Sequence, residues 1–246
     1  MIRFFDGNCS YGRAARPPFR YAATAQDLLR EMDFCGIDSA LVHHTNMRFS
    51  SPREWNPVLV EEVKSHPRLQ PTWAILPSQT GEFPKADELA PAMRSNGIRA
   101  LWAFPAEHRY CLDSLTFGPL LEVMANLRMP LLAKDNLLSI KALLKEQPGL
   151  IVVAMNQGPH SLERYLRPML DAFPNLHVET SCLIVEGLIE EFCRRYGPNR
   201  LIFGSGFPNN CAGASLLHVA QADIGPETRQ AVAAGNLERL LGEVRL

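Results

Sequence analysis

Lys134 closes an apolar run and stands beside Asp135. A lysine so placed can clamp an anionic substrate or, once desolvated, act as a base or an imine-forming nucleophile. The plainer reading, and the one we favour, is a structural ion pair. His43 and His44 end another run. Neighbours on a strand face opposite ways, so one of the two points inward, where it can serve as general acid or base. A hydrogen-bonded packing histidine is the alternative. Asp6 and Glu179 end two further runs, and a pair of carboxylates there suits acid–base chemistry. Either of them, paired with Lys134, is instead a buried ion pair, and Asp6 also reads as an acceptor for the loop that follows it. Asn8, Ser10, Trp102, Asn156 and Ser205 complete the set as ligand-contacting candidates, with Trp102, like Trp73, reading more readily as core or wall than as a substrate platform. Cys9, Cys182 and Cys211, joined by a histidine, offer a soft-metal site or a thiolate nucleophile. Buried cysteine is more often only a small apolar residue. Arg13, Arg16, Arg20, Arg48 and Arg109 add positive charge on loops. With Lys134 they point to a small anionic ligand such as a carboxylate. His66, His108, His160, His177 and His218 are given no role.

These residues work together only if one scaffold gathers them. Apolar runs at 2–5, 40–42, 72–76, 98–103, 130–133, 150–154, 176–178 and 201–203 lack polar alternation, as strands covered on both faces do. Amphipathic segments lie between them at 24–35, 54–66, 86–95, 115–127, 138–146, 162–173 and 184–196, and a last one at 226–241 closes the chain. Several of these end at Gly or Pro. Strand–helix repetition of this kind over 246 residues predicts an α/β fold, a (β/α)8 TIM barrel forming a single domain over 1–246. A doubly wound open sheet is the alternative. It lacks support after the first strand, where Gly7 and Gly12 do not make a dinucleotide fingerprint. In a barrel the C-terminal strand ends converge on one mouth, and the candidate residues fall at those ends. The loop at 8–21 is the longest and becomes part of the rim.

The phrases at 97–101, 117–122, 129–134, 173–181, 200–208 and 235–242 resemble, in order, the amidohydrolase superfamily, in particular its amidohydrolase-2 branch of hydrolases and decarboxylases. The resemblance implies the barrel, hydrolysis or decarboxylation as chemistry, and a homodimer. It also locates a divalent-metal site, and here the chain departs from it. Asn8 and Ser10 stand where two histidines of an Asp-x-His-x-His phrase belong. Lys134 and Met155 stand at two further histidine positions, and Gly206 replaces an aspartate. Amide, hydroxyl and thioether groups bind such ions weakly, and an ammonium repels them. The expectation is therefore no metal at this place and no cofactor.

Bulk properties narrow the partners. The formal net charge is −1, against the basic surface that nucleic acid needs. No apolar run approaches the roughly 18 residues of a membrane span. Six scattered cysteines without a CxxC pair and no signal-peptide pattern read as a cytoplasmic protein with reduced thiols. The functional expectation is a barrel whose pocket takes a small carboxylated molecule, with any hydrolysis or decarboxylation independent of metal. A non-catalytic ligand-binding or structural relative, and a metalloenzyme with a displaced Cys/His site, are the alternatives.

Overall fold

The computed structural model describes residues 2–158 and 162–246, so His160 lies outside the described residues. β1 spans Phe5–Tyr11 and is buried along all seven residues. It pairs in parallel with β2 (Ser39–His44), with a register shift between Asp6 and Cys9. Such a bulge re-aims the side chains that follow it. The strand therefore continues well beyond the apolar run at 2–5. Residues 8–11, expected in a loop, belong to the ladder, and the rim loop begins at Gly12.

The remaining strands are β3 (Leu69–Pro71), β4 (Trp73–Ala74), β5 (Leu101–Ala103), β6 (Leu131–Ala133), β7 (Val152–Ala154), β8 (Leu176–Glu179) and β9 (Leu201–Ile202). All pairings are parallel, in the orders β1-β2-β3 and β4 through β9. β3 and β4 are two halves of one stave, so the two sheets are continuous. The ring closes where the Gly7 N–H donates to the Phe203 carbonyl at 2.8 Å and the Ser10 N–H to the Phe207 carbonyl at 3.0 Å. This is the (β/α)8 barrel. Its strands are apolar because both faces are covered, as in Leu101–Ala103, Leu131–Ala133 and Val152–Ala154, all of which are buried.

The split at Thr72 has a local cause. Its N–H and its Oγ1 both donate to the Val42 carbonyl, at 3.1 and 2.7 Å. The side chain competes with the ladder, and the pairing breaks there. Asn56, buried on helix α3 (Pro52–Val63), fills the breach. Its Nδ2 donates to the Ala74 carbonyl at 3.0 Å and its Oδ1 accepts from the Ala74 N–H at 2.9 Å. Asn56→Ala leaves both groups of Ala74 buried and unpaired and is expected to cost about 2 kcal/mol. Urea unfolding reads this directly, and an unchanged midpoint would show that the plug contributes nothing.

Local signals set the helices. Thr24 and Asp27 form a reciprocal cap on α1 (Ala25–Cys35). α2 (Thr45–Phe49) was not expected, since five residues carry no readable period; it begins where His44 Nδ1 accepts from the Asn46 N–H at 3.1 Å. α3 starts at Pro52 and stops at Val63, rather than covering 54–66. α4 (Ala86–Asn96) lies as expected, and α5 (Pro105–His108) is a single turn directly after β5. The helix expected over 184–196 covers only Leu188–Tyr196, and Ala212–Ala220 forms a helix that the pattern did not disclose. Among the described residues no helix is long and apolar enough to cross a membrane.

Candidate functional site

Three charged side chains from three separate connections meet at the barrel mouth. Arg48 comes from α2, Glu107 from α5, and Lys134 follows β6. One carboxylate oxygen, Glu107 Oε1, accepts from Arg48 Nε at 2.6 Å and from Lys134 Nζ at 3.2 Å. Burial works against the Glu107 charge, but the Arg48 and Lys134 contacts overcome it and hold its carboxyl below the usual range. Lys134 is pushed down by burial and by the Arg48 charge, against the pull of Glu107. The partner of Lys134 is thus Glu107, not Asp135, Asp6 or Glu179.

Aromatic rings form the wall beside this triad. Trp102 and Phe104 stack with centroids 5.0 Å apart and planes within 8°. The His43 ring sits 4.7 Å from Trp102 and 5.5 Å from Phe104. The Arg48 guanidinium lies 5.8 Å from the Phe104 ring and 4.6 Å from that of Phe49. His43 Nδ1 and Trp102 Nε1 are buried with no hydrogen-bond partner among the described residues. Burial, then the charges of Arg48, His44 and Lys134, push His43 down to about 3. It is a neutral ring at physiological pH, able to donate or accept one hydrogen bond and poorly suited to hold a proton.

Arg48, Lys134, His43 and the Trp102, Phe104 and Phe49 rings, together with Asn8, Ser10, Asn156 and Arg16, line a cavity of about 100 Å³. A buried cavity of roughly 150 Å³ takes a benzene ring. The enclosed space therefore fits the carboxylated end of a small molecule, and a larger body must extend past the rim loop.

A sealed polar layer lies below. Glu179 is fully buried. Its Oε2 accepts from Asn8 Nδ2 at 2.8 Å, Ser181 Oγ at 2.8 Å and the Asn156 N–H at 3.2 Å, and its Oε1 from the Ser181 N–H. Burial outweighs these donors and raises its carboxyl to about 7. Asp6 Oδ1 accepts from the Asn8 N–H at 2.9 Å and the Ser205 N–H at 2.8 Å, and burial raises it as well. Asn8 and Asn156 belong to both layers: they line the cavity and hold Glu179. Asn156 has φ +56°, a left-handed conformation that asparagine tolerates.

Of the residues singled out from sequence, Lys134, His43, Asn8, Ser10, Trp102 and Asn156 line the cavity. His44 does not. It faces the helix layer, stacked on Trp55 at 4.2 Å. Asp6 and Glu179 sit beneath the cavity rather than in it. Ser205 is fully buried as well: its Oγ accepts from the Phe207 N–H at 3.1 Å and it braces the turn instead of meeting a ligand. Among the arginines, Arg16 and Arg48 reach the cavity, whereas Arg20 pairs with Glu31 and Arg13 and Arg109 are exposed elsewhere. Cys182 and Cys211 line a separate pocket that excludes Cys9. Glu107 was not anticipated. Its only sequence signal is an acid three residues past Phe104 in a rim otherwise rich in arginine.

An amidohydrolase family model matches residues 14–242. The chain belongs to the amidohydrolase family. No curated protein sequence gave a match. Among solved structures, 5-carboxyvanillate decarboxylase from Sphingomonas paucimobilis is similar, with TM-score 0.77 and 15% identity over 98% of this chain and 99% of that one. A dihydroxybenzoic acid decarboxylase from Polaromonas sp. JS666, with manganese and the inhibitor 2-nitroresorcinol bound, gives 0.76 and 16% over 98% and 97%. The 2,6-dihydroxybenzoate decarboxylase from Rhizobium gives 0.74 and 16% over 98% and 99%. At such identities the likeness establishes the fold.

The family implies a metal ion, and the donor set at this mouth falls short of what an ion requires. Asn8 turns its NH2 group toward Glu179, Lys134 brings a cation, and Ser10 offers one neutral oxygen. Gly206 has φ +69°, and a Cβ there would lie 2.9 Å from Ser181 Cβ and 2.6 Å from Asn210 Nδ2. That backbone is shaped around the absence of a side chain. Among the described residues no three His, Cys, Asp or Glu side chains come together to hold an ion. The residues present at this mouth do not fit a divalent cation, and among the described residues no displaced Cys/His cluster gathers.

Proposed function

We propose that the barrel mouth binds a small carboxylated organic molecule, of the aromatic acid type, without a metal ion. One observation carries this reading: among the described residues the charged groups lining the cavity are Arg16, Arg48 and Lys134, with no Asp or Glu. Glu107 offsets one positive charge from behind, so an excess remains for an incoming anion. Arg16 has no ion-pair partner among the described residues. Trp102 and Phe104 are almost fully buried, with His43 packed against both, so the stack is a rigid apolar wall behind the charged groups. The named substrates of the similar decarboxylases are aromatic acids, which agrees with this chemistry.

Catalysis is a second reading, and Glu179 favours it. A carboxyl near 7, one residue below the cavity and connected to it through Asn8 and Asn156, is suited to proton transfer at neutral pH. Proton exchange would have to pass through those amides or a shift of them, so binding is the stronger conclusion.

Calorimetric titration of chelator-treated protein with benzoate, 2,6-dihydroxybenzoate and neutral benzamide tests the proposal. The acids are expected to bind and benzamide to bind more weakly. Lys134→Gln is expected to weaken the acids by about tenfold or more, through loss of a charge-assisted contact. Binding that appears only after manganese is added, or no preference for acid over amide, would overturn it.

A further inference from the structure

We propose that Glu107 is an internal counter-anion that sets the affinity and charge selectivity of the cavity. The inference rests on the binding reading above and adds a residue that acts through two others. Both cations of the inner cavity donate to one oxygen of this carboxylate, and among the described residues no other acid reaches them. Glu107 itself stays outside the cavity lining.

The two contacts are unequal. Arg48 is held by a 2.6 Å bond through Nε and by a second, shorter contact through Nη2, with its plane against Phe49 and Phe104. Lys134 has a single contact at 3.2 Å, on a flexible stem with three rotatable donors. An arriving carboxylate therefore competes with Glu107 for Lys134 first, while Arg48 remains fixed. Two carboxylates facing one ammonium repel each other, so Glu107 lowers anion affinity. A neutral ligand feels no such opposition. Glu107 is in this sense a positioning residue with an electrostatic cost for anions: it keeps Arg48 in place and stops the site from binding every small anion tightly.

Glu107→Gln keeps the shape and an acceptor for Arg48 but removes the charge. Titration with benzoate and benzamide, on wild type and variant, separates the roles. The expected result is benzoate binding about tenfold tighter in the variant with benzamide changed less than about twofold, since only the charged probe senses the lost repulsion. If wild type binds benzoate and the variant binds both probes equally well or more weakly, Glu107 is only a prop for Arg48; the inference then fails and the binding reading stands. If neither protein binds benzoate, both fail. Thermal unfolding shows whether the variant is folded, and Glu107→Ala is read by the same criteria should the glutamine variant not fold.

Discussion

Gly204→Ala is expected to destabilise the protein by about 3 kcal/mol or more, the scale of overpacking in a site that cannot expand. The added Cβ would lie 2.6 Å from Glu179 Cδ and 2.7 Å from Asn8 Cβ, and closer still to Glu179 Oε1. None of these neighbours is a flexible side-chain end. Glu179 is fixed by its four donors, and Asn8 is part of β1, next to the bonds that close the ring. Relief requires moving either the buried carboxylate or the seam of the barrel. Thermal and urea unfolding measure the loss. A variant within about 1 kcal/mol of wild type would mean that the seam yields easily, in contrast to the close packing of ordinary interiors.

This crowding explains how much of the site could be read in advance. The barrel was legible because strands covered on both faces are short apolar runs, and Leu101–Ala103 or Leu131–Ala133 look the same in sequence and in space. Strand ends were legible for the same reason, so Lys134, His43 and Asn156 were placed at the mouth. Depth was not legible. Asp6, Glu179 and Ser205 also stand at strand ends, yet all three are buried and none lines the cavity. Polar Asn8 and Ser10 hid the second half of β1, because a hydrogen-bonded polar residue in a buried strand resembles a loop residue in a list of types. The Arg48–Glu107–Lys134 cluster was the least legible. Its members come from three connections, 59 and 27 residues apart in the two contacts, and nothing local relates them.

Glu179→Gln is expected to change the slope of stability against pH between pH 5 and 8, the difference between variant and wild type isolating this one carboxyl from the buried histidines that titrate in the same range. Burial raises the folded-state carboxyl from 4.5 to about 7. The folded protein then holds this proton more tightly than the unfolded chain, so the group's contribution is full below about pH 4.5 and is lost as pH rises through 7. A shift of that size corresponds to about 3 kcal/mol over the window, at about 1.4 kcal/mol per unit. Because the side chain is fully buried, solvent screening does not reduce it. Glutamine has no proton to lose, but it places an NH2 group against donors: Ser181 N–H on one side, or Asn8 Nδ2 and the Asn156 N–H on the other. At pH 5 that mismatch costs about 2 kcal/mol relative to the protonated wild type. The two stability curves should therefore cross between pH 5 and 8, with wild type ahead in acid and the variant equal or ahead in base. Urea midpoints across this range decide it. Parallel curves would place the Glu179 titration outside the window and would remove the basis for a proton-transfer role beneath the cavity.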